Sequence, residues 1–191
     1  ISEETVDFKV KNKNKTFWLI DPIDGTKEYI KKGSEYTLNA ALIVDLNPVL
    51  GVIFAPEKNR LFFSFGKNSA FEISDGKRKA LNCRKKEVDE TVALVNSDKT
   101  HPQILDIHKE NKVTKIIQMS SSYKFCALAA GEADIYAAQA RAFEWDIAAG
   151  HAILNHAGGS VTTHDYKNFL YGKKNYKNLP IIARRARDLG N

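Results

Sequence analysis

Two aspartates three positions apart follow a short apolar segment and form the clearest chemical feature of this sequence. Residues 17–20 are apolar, Asp21 follows them directly, and Asp24 lies beyond a proline. An apolar run of this length bounded by turn residues predicts a buried strand. Two carboxylates on either side of a proline turn can converge on one point, and crowded carboxylates raise each other's pKa unless a cation lies between them.

The turn after this strand can supply both a metal site and an anion site. Hard divalent cations such as Mg²⁺ take oxygen ligands and are commonly bound through a few carboxylates plus substrate phosphate. Gly25 lets the backbone approach a ligand, adjacent N–H groups in such a turn bind anions, and Thr26 adds a hydroxyl. One interpretation is therefore a metal site beside a phosphate pocket. The other is that Asp-Pro and Asp-Gly only mark two turns.

The composition is that of an ordinary globular protein. The chain has 191 residues, 43% hydrophobic and 27% charged, and can bury a core as one domain or two small ones. No apolar stretch reaches the roughly eighteen residues of a membrane helix, and the acidic start lacks the apolar segment of a signal peptide. Cys83 and Cys126 lack the spacing of a zinc site or disulfide framework, which indicates reduced thiols and a cytoplasmic location.

The charge balance favours an anionic ligand. The net charge is +6, from 29 basic and 23 acidic residues, and a positive field favours polyanions. The same charge suits a non-catalytic nucleotide- or nucleic-acid-binding module, which is the alternative of another class. Because the lysines are scattered through predicted turns without the aromatic pattern of RNA-binding domains, the sequence predicts a small phosphorylated substrate rather than nucleic acid.

Hydrophobic patterning divides the chain into two predicted parts. Short strands between residues 36 and 73, joined by Gly and Asp turns, predict an antiparallel meander. Further on, strands alternate with helices, among them residues 120–131, with a serine as N-cap, and residues 146–156. This change predicts an antiparallel-sheet subdomain over residues 1–88 and an α/β subdomain over residues 89–191.

Three motifs in order resemble the signatures of the inositol monophosphatase superfamily. They are DPIDGT at residues 21–26, WDIAAG at residues 145–150, and the triplet Ser2-Glu3-Glu4, which resembles a G/S-E-E motif. The stretches GTKEYI, SSYKFCALAAGEADIY and WDIAAGHAIL are most similar to the 3′(2′),5′-bisphosphate nucleotidase branch. The resemblance runs from residue 1 to about residue 185.

This resemblance implies a fold and an activity. The implied fold is of the α+β or α/β class, a layered α/β/α/β sandwich whose N-terminal helices are expected to be missing from this chain, with residues 1–4 ending a strand. The implied enzyme is a Mg²⁺-dependent, lithium-sensitive phosphatase. It converts 3′-phosphoadenosine 5′-phosphate, a by-product of sulfur metabolism, to AMP. The runner-up is an inositol-1-phosphate or fructose-1,6-bisphosphate phosphatase. Family members are dimers or monomers, so the resemblance is compatible with a homodimer.

The resemblance also implies a set of metal ligands for two or three Mg²⁺ ions. One ion is held by Glu3, Asp21 and the carbonyl of Ile23, and a second by Asp21, Asp24 and Asp146. Asp146 has a second interpretation, because an aspartate at a helix start can simply be an N-cap.

Catalytic and substrate-binding residues follow from the same resemblance. The resemblance implies that Asp21, Asp24 and Thr26 are catalytic and that Thr26 orients the attacking water, backed in the family by an aspartate from the N-terminal portion. The phosphate is received by N–H groups of Gly25 and Thr26, and Asp146 also contacts substrate.

Substrate choice depends on a second group of residues. Ser121, Ser122 and Lys124 match the nucleotidase stretch that contacts the second phosphate or ribose, although a lone helical lysine is otherwise only solvated. Ala138 stands where nucleotidases carry an arginine and inositol phosphatases a glutamate. Arg141 is the residue that can reach the same volume from another turn.

Overall fold

Two β-sheets, one from each half of the chain, are connected by helices in the computed structural model, which describes residues 1–8, 14–83, 90–97 and 100–185. The α-helices are α1 (Thr26–Ile30), α2 (Pro102–Glu110), α3 (Tyr123–Ala130) and α4 (Glu144–His156). The strands are β1 (Phe17–Asp24), β2 (Thr37–Val44), β3 (Asn47–Ala55), β4 (Arg60–Ser64), β5 (Ala70–Ser74), β6 (Lys77–Ala80), β7 (Val92–Val95), β8 (Lys115–Gln118), β9 (Ile135–Ala138), β10 (Ser160–Thr163) and β11 (Ile181–Arg184).

The two sheets differ in topology as the sequence pattern predicts. The first sheet contains six strands in chain order, β1 to β6, and each pairs antiparallel with the next. This confirms the predicted meander. The second sheet has the order β10-β11-β9-β7-β8, with β7 parallel to both β8 and β9. Parallel neighbours need crossover connections, and these connections carry helices α2 and α3.

Helix α4 is the central core element. It packs against β1, β2 and β3 of the first sheet and also contacts α3 and β10. The approach to β3 is so close that a Cβ built on Gly51 would lie 2.3 Å from the carbonyl oxygen of Ala149. A glycine in that strand therefore lets the helix backbone lie directly on the sheet, which fixes where the N-terminal end of α4 points.

The opposite face of the first sheet is also apolar. Along β1, buried Phe17 and Leu19 alternate with Trp18 and Ile20, which are 44% and 38% exposed. Leu38 and Phe54, neighbours in β2 and β3, are likewise exposed. These four side chains are thus exposed, and the expectation that N-terminal helices are missing stays a prediction.

The first residues form a turn instead of the predicted strand end. Ser2 makes a single parallel bridge with Ile20, after which Glu3–Thr5 forms a 3₁₀ turn. The pairing stops because the N–H of Thr5 bonds back to the carbonyl of Ser2 at 3.2 Å. This part of the prediction was wrong, although the bridge still places Glu3 beside the end of β1.

The predicted subdomain boundary between residues 88 and 89 lies outside the described residues, so the division stays a prediction. One hydrophobic cluster includes buried residues from both sheets, such as Leu19 and Leu94. Within the described part of the chain, no helix is long and apolar enough to cross a bilayer.

Candidate metal centre

Three carboxylates from separate segments meet near the C-terminal end of β1. One oxygen from each of Glu3, Asp21 and Asp146 lies within 4.8 Å of the others. Asp21 is buried, Asp146 is half-buried, and Glu3 is exposed. The structure thus brings together three of the predicted metal ligands.

Asp21 is held by the irregular end of β1. Its strand pairing shifts register across the proline turn, where Pro22 has no N–H to donate. The N–H of Ile23 donates to Asp21 Oδ1 at 3.0 Å, whereas buried Asp21 Oδ2 has no hydrogen-bond partner among the described residues. Burial, followed by the charges of the neighbouring carboxylates, raises the pKa of Asp21 to about 9.

Asp24 lies outside this trio because its carboxylate is bound to the segment before α3. The N–H of Ser122 donates to Asp24 Oδ2. After burial, the charge of Asp24 is the next largest cause of the raised pKa of both Asp21 and Asp146. The pKa of Asp24 is itself raised by burial, and the Lys124 ammonium opposes that rise.

The same contact explains why α3 begins later than predicted. The helix starts at Tyr123, not at residue 120. The N–H of Ser120 donates to Glu35 Oε2 at 2.8 Å, Ser121 is left-handed with φ +53°, and the following N–H is the one bound to Asp24. Carboxylates from distant parts of the chain therefore accept the N–H groups that the sequence assigned to the first helical turn. The predicted serine cap at residue 120 was wrong.

Asp146 caps its helix, and its metal role stays a prediction. Helix α4 begins at Glu144, so Asp146 is its third residue rather than its N-cap. Asp146 Oδ2 accepts the N–H of Phe143 at 2.7 Å, which caps the helix from within its first turn. Burial, then the charge of Asp24, raises the pKa of Asp146 to about 7. Because a carboxylate has two oxygens, capping leaves the second one free for a ligand.

The turn after Asp24 requires glycine. Gly25 has φ +88°, and a Cβ there would lie 3.1 Å from the carbonyl oxygen of Glu35 and 3.2 Å from Ser121 Cβ. The next residue, Thr26, is exposed and its Oγ1 donates to the carbonyl oxygen of Ile23 at 3.2 Å. The predicted water-orienting hydroxyl and the predicted carbonyl ligand are therefore neighbours.

The predicted substrate residues before and within α3 are largely buried. Lys124 Nζ donates to the carbonyl oxygens of Ser121 at 2.5 Å and Met119 at 3.3 Å, and Ser122 Oγ donates to Asn39 Oδ1 at 2.8 Å. Burial lowers the pKa of Lys124 to about 8, against the pull of nearby carboxylates. These residues line a cavity of about 140 Å³ whose wall also includes carboxylates of the metal centre.

The donor set fits a hard divalent cation. All three clustered side chains offer oxygen, which Mg²⁺ prefers to nitrogen or sulfur. A ligand role also accounts for the unpartnered Asp21 Oδ2 and for the crowding that raises the pKa values. The two histidines of α4 are used elsewhere: the Nδ1 atoms of His151 and His156 bond Tyr171 and Ser64, each at 2.9 Å.

One buried residue that the sequence analysis did not single out supports this geometry. Glu144 is fully buried and accepts the N–H groups of Gly172 at 2.9 Å and Lys173 at 2.8 Å. The ammonium of Lys173 adds an ion pair at 2.8 Å. Its place two residues before Asp146 was visible in the sequence, but its partners lie 28 and 29 positions away, where no local signal points to them.

The sequence matches the inositol monophosphatase family over residues 1–186. It is 39% identical to the 3′(2′),5′-bisphosphate nucleotidase CysQ of Buchnera aphidicola subsp. Acyrthosiphon pisum, over 88% of this chain and 63% of the relative. It is 36% identical to CysQ of Escherichia coli K12, over 86% of this chain and 65% of that relative. The chain thus spans 63–65% of the length of these curated relatives.

Solved structures share the fold. The crystal structure of CysQ from Bacteroides thetaiotaomicron matches with a TM-score of 0.86 and 32% identity, over 98% of this chain and 77% of that one. Inositol monophosphatase II from Staphylococcus aureus matches with a TM-score of 0.77 at 20% identity, over 97% and 68%, a likeness of fold alone. These matches confirm the predicted fold class.

Proposed function

We propose, on the premise that this chain belongs to the inositol monophosphatase family, that it is a Mg²⁺-dependent phosphomonoesterase. The family is metal-dependent, generally on Mg²⁺. We assign the reaction as hydrolysis of 3′-phosphoadenosine 5′-phosphate to AMP and phosphate, in a cytoplasmic protein of sulfur metabolism.

The observation that carries the proposal is the carboxylate trio with its unpartnered buried oxygen. One oxygen from each of Glu3, Asp21 and Asp146 lies within 4.8 Å of the others, and Asp21 Oδ2 is buried without a donor among the described residues. A buried carboxylate without a partner is costly unless a cation neutralises it. If Glu3, Asp21 and Asp146 served only to stabilise the fold, nothing would explain why three acidic side chains lie together.

Five residues would hold the metal ions. Mg²⁺ supplies water activation and neutralisation of phosphoryl charge when it is bound. Glu3, Asp21 and the Ile23 carbonyl would bind one ion, and Asp21 would share a second with Asp24 and Asp146. Asp24 would retain its bond from the Ser122 N–H, which orients its carboxylate as outer partners commonly do.

The turn at Gly25 would receive the phosphoryl group. Its backbone lies where no side chain fits, so the phosphate oxygens can approach the N–H groups of Gly25 and Thr26. Thr26 would orient the attacking water. Its hydroxyl has to leave the Ile23 carbonyl, to which it donates at 3.2 Å, or share its lone pairs, since a hydroxyl both donates and accepts.

Two relatives named as bisphosphate nucleotidases favour the nucleotide substrate. The runner-up is a phosphatase for inositol 1-phosphate or fructose 1,6-bisphosphate, because Ala138 replaces the residue that separates the branches. A third interpretation, a non-catalytic nucleotide- or nucleic-acid-binding module, is supported only by the net charge of +6; it predicts binding that persists in EDTA and weakens steeply with salt.

The test is a comparison of kcat/KM on these three phosphate esters with Mg²⁺. We expect the nucleotide to be preferred at least several-fold, no phosphate release in EDTA, and inhibition by lithium. Equal rates on all three esters would contradict the branch assignment. Phosphate release that continues unchanged in EDTA would contradict the metal-dependent mechanism.

A further inference from the structure

Three buried polar side chains lie beside the two aspartates of β1. Thr37, Asn39 and Ser122 are each 3% exposed or less. In the pairing of β1 with β2, Thr37 lies opposite Asp24 and Asn39 lies opposite Asp21, while Ser122 comes from the segment before α3. Burying polar groups is costly unless they form hydrogen bonds, so the partners of these three side chains indicate their role.

The hydrogen bonds among these three side chains have a fixed direction. Ser122 Oγ lies 2.8 Å from both Asn39 Oδ1 and Thr37 Oγ1. An amide oxygen can only accept, so the Ser122 hydroxyl donates to Asn39, and the Ser122 oxygen is left to accept from the Thr37 hydroxyl. We name this chain of donors, from Thr37 through Ser122 to Asn39, the hydroxyl relay. It holds the Asn39 amide with its oxygen toward Ser122 and its Nδ2 turned away.

The Nδ2 group of Asn39 faces Asp24. Burial raises the pKa of Asp24, and the Lys124 ammonium opposes that rise. The Ser122 N–H and the Asn39 amide add to this opposition, which requires the amide to present its donor and not its oxygen. Nδ2 is nevertheless buried without an acceptor at hydrogen-bond distance among the described residues. An unsatisfied buried donor costs free energy, and the Asp24 carboxylate is the acceptor that would satisfy it.

Ser122 supports Asp24 in two ways. Its N–H donates directly to Asp24 Oδ2, and its hydroxyl orients the Asn39 amide. Ser122 lines the cavity at the carboxylates, but it is only 2% exposed and both of its donors are used within the protein. The substrate contact that the resemblance implies for Ser122 would therefore need a donor that the fold already uses.

We propose that Thr37, Ser122 and Asn39 are positioning residues for the metal centre, and that the hydroxyl relay holds the Asp24 carboxylate in the orientation that binds a cation. A carboxylate has about four acceptor sites, of which donors from Ser122 and Asn39 occupy two and leave the others for a metal ion. Without the relay the Asn39 amide can turn over, and its oxygen then faces the carboxylate and repels it. This inference rests on the proposed function and adds residues that support its cation.

The test measures binding of Mn²⁺, in place of Mg²⁺, by electron paramagnetic resonance. Asp24→Asn identifies the bound Mn²⁺ that depends on Asp24. Thr37→Val keeps the shape of the side chain but removes the first donor of the relay, and Ser122→Ala removes the middle donor while keeping the N–H. Each should weaken binding of that same Mn²⁺ about tenfold, the usual scale for lost outer partners of a metal ligand. Thr37→Ser, which retains the hydroxyl, should bind Mn²⁺ nearly as wild type does.

Two further measurements separate orientation of Asp24 from general damage and from substrate contact. Thr163→Val removes another buried, bonded threonine hydroxyl, in β10 of the second sheet, and should leave Mn²⁺ binding unchanged. In turnover of 3′-phosphoadenosine 5′-phosphate, Thr37→Val and Ser122→Ala should raise the Mg²⁺ concentration for half-maximal rate by a similar factor. The KM for the nucleotide at saturating Mg²⁺ should stay unchanged.

The Asp24→Asn result separates failure of this inference from failure of the proposed function. Mn²⁺ binding that is lost in Asp24→Asn but unchanged in Thr37→Val and Ser122→Ala would overturn this inference alone. A higher nucleotide KM in Ser122→Ala with unchanged Mn²⁺ binding would do the same, since it is the result of a direct substrate contact. Equal weakening by Thr37→Val and Thr37→Ser would also overturn it, because it indicates lost packing. Equal Mn²⁺ binding by Asp24→Asn and wild type would overturn the role of Asp24 in the proposed function as well.

Discussion

Replacing Asp21 by asparagine should stabilise the metal-free protein, and the gain should grow with pH. The Asp21 carboxyl is 1% exposed, and burial with neighbouring charges raises its pKa to about 9, from 3.8. The folded state then holds a proton that the unfolded state has lost at neutral pH. Stability must fall as pH rises between these two pKa values, because unfolding releases that proton. The amide that replaces the carboxyl in the variant has no proton to release.

The magnitude follows from linkage. Each pH unit costs about 1.4 kcal/mol for one such carboxyl. Between pH 5 and pH 8, the free energy of unfolding of Asp21→Asn relative to wild type should therefore rise by about 4 kcal/mol. The difference between the two proteins cancels the titration of groups that behave alike in both.

The assay is urea unfolding in EDTA at several pH values, with Asp106→Asn on the exposed side of α2 as a control for loss of one surface charge. Adding Mg²⁺ should reverse the order of the two proteins, because the cation stabilises only the protein that binds it. A difference between Asp21→Asn and wild type that stays constant from pH 5 to pH 8 would refute the reasoning.

Three further predictions concern the supports of the site. Asp146→Ala should destabilise the metal-free protein by about 1 kcal/mol more than Asp146→Asn, since only the asparagine can still accept the capping bond; thermal unfolding in EDTA measures this. Glu144→Ala should cost about 3–5 kcal/mol in urea unfolding because it leaves two N–H groups without their acceptor and removes the ion-pair partner of the half-buried Lys173 ammonium, and a loss below about 1 kcal/mol would count against the anchoring role. Gly51→Ala should cost about 1–3 kcal/mol, since its Cβ would lie 2.3 Å from the Ala149 carbonyl oxygen; an unchanged midpoint would contradict this close approach.

The sequence predicted well those features that depend on neighbouring residues. The apolar run before Asp21 and the proline turn after it predicted a strand end, and β1 spans Phe17–Asp24. The strand-rich first part predicted a meander, and the sheet order follows the chain. Such features are set by local propensity and alternation, which can be read within a few residues.

Features set by distant partners could not be predicted from residue patterns. The start of α3 shifts to Tyr123 because Glu35 and Asp24, from the first sheet's side of the chain, bond the backbone before it. That Glu3 lies near Asp21 and Asp146 could be predicted only from the family resemblance. Residue spacing alone does not indicate that the 3₁₀ turn lies beside the first turn of α4. The anchoring of Glu144 had no local signal either. The metal roles of these residues stay predictions until a cation is bound.

Electron paramagnetic resonance of Mn²⁺, a stand-in for Mg²⁺, tests the central claim most directly. Titrated into wild type and Asp21→Asn, the free-ion signal reports how much metal each protein binds. The carboxylate site predicts saturable binding by wild type and its loss, or a severalfold or larger weakening, in Asp21→Asn. Equal binding by the two proteins would contradict the claim that these carboxylates hold a divalent cation.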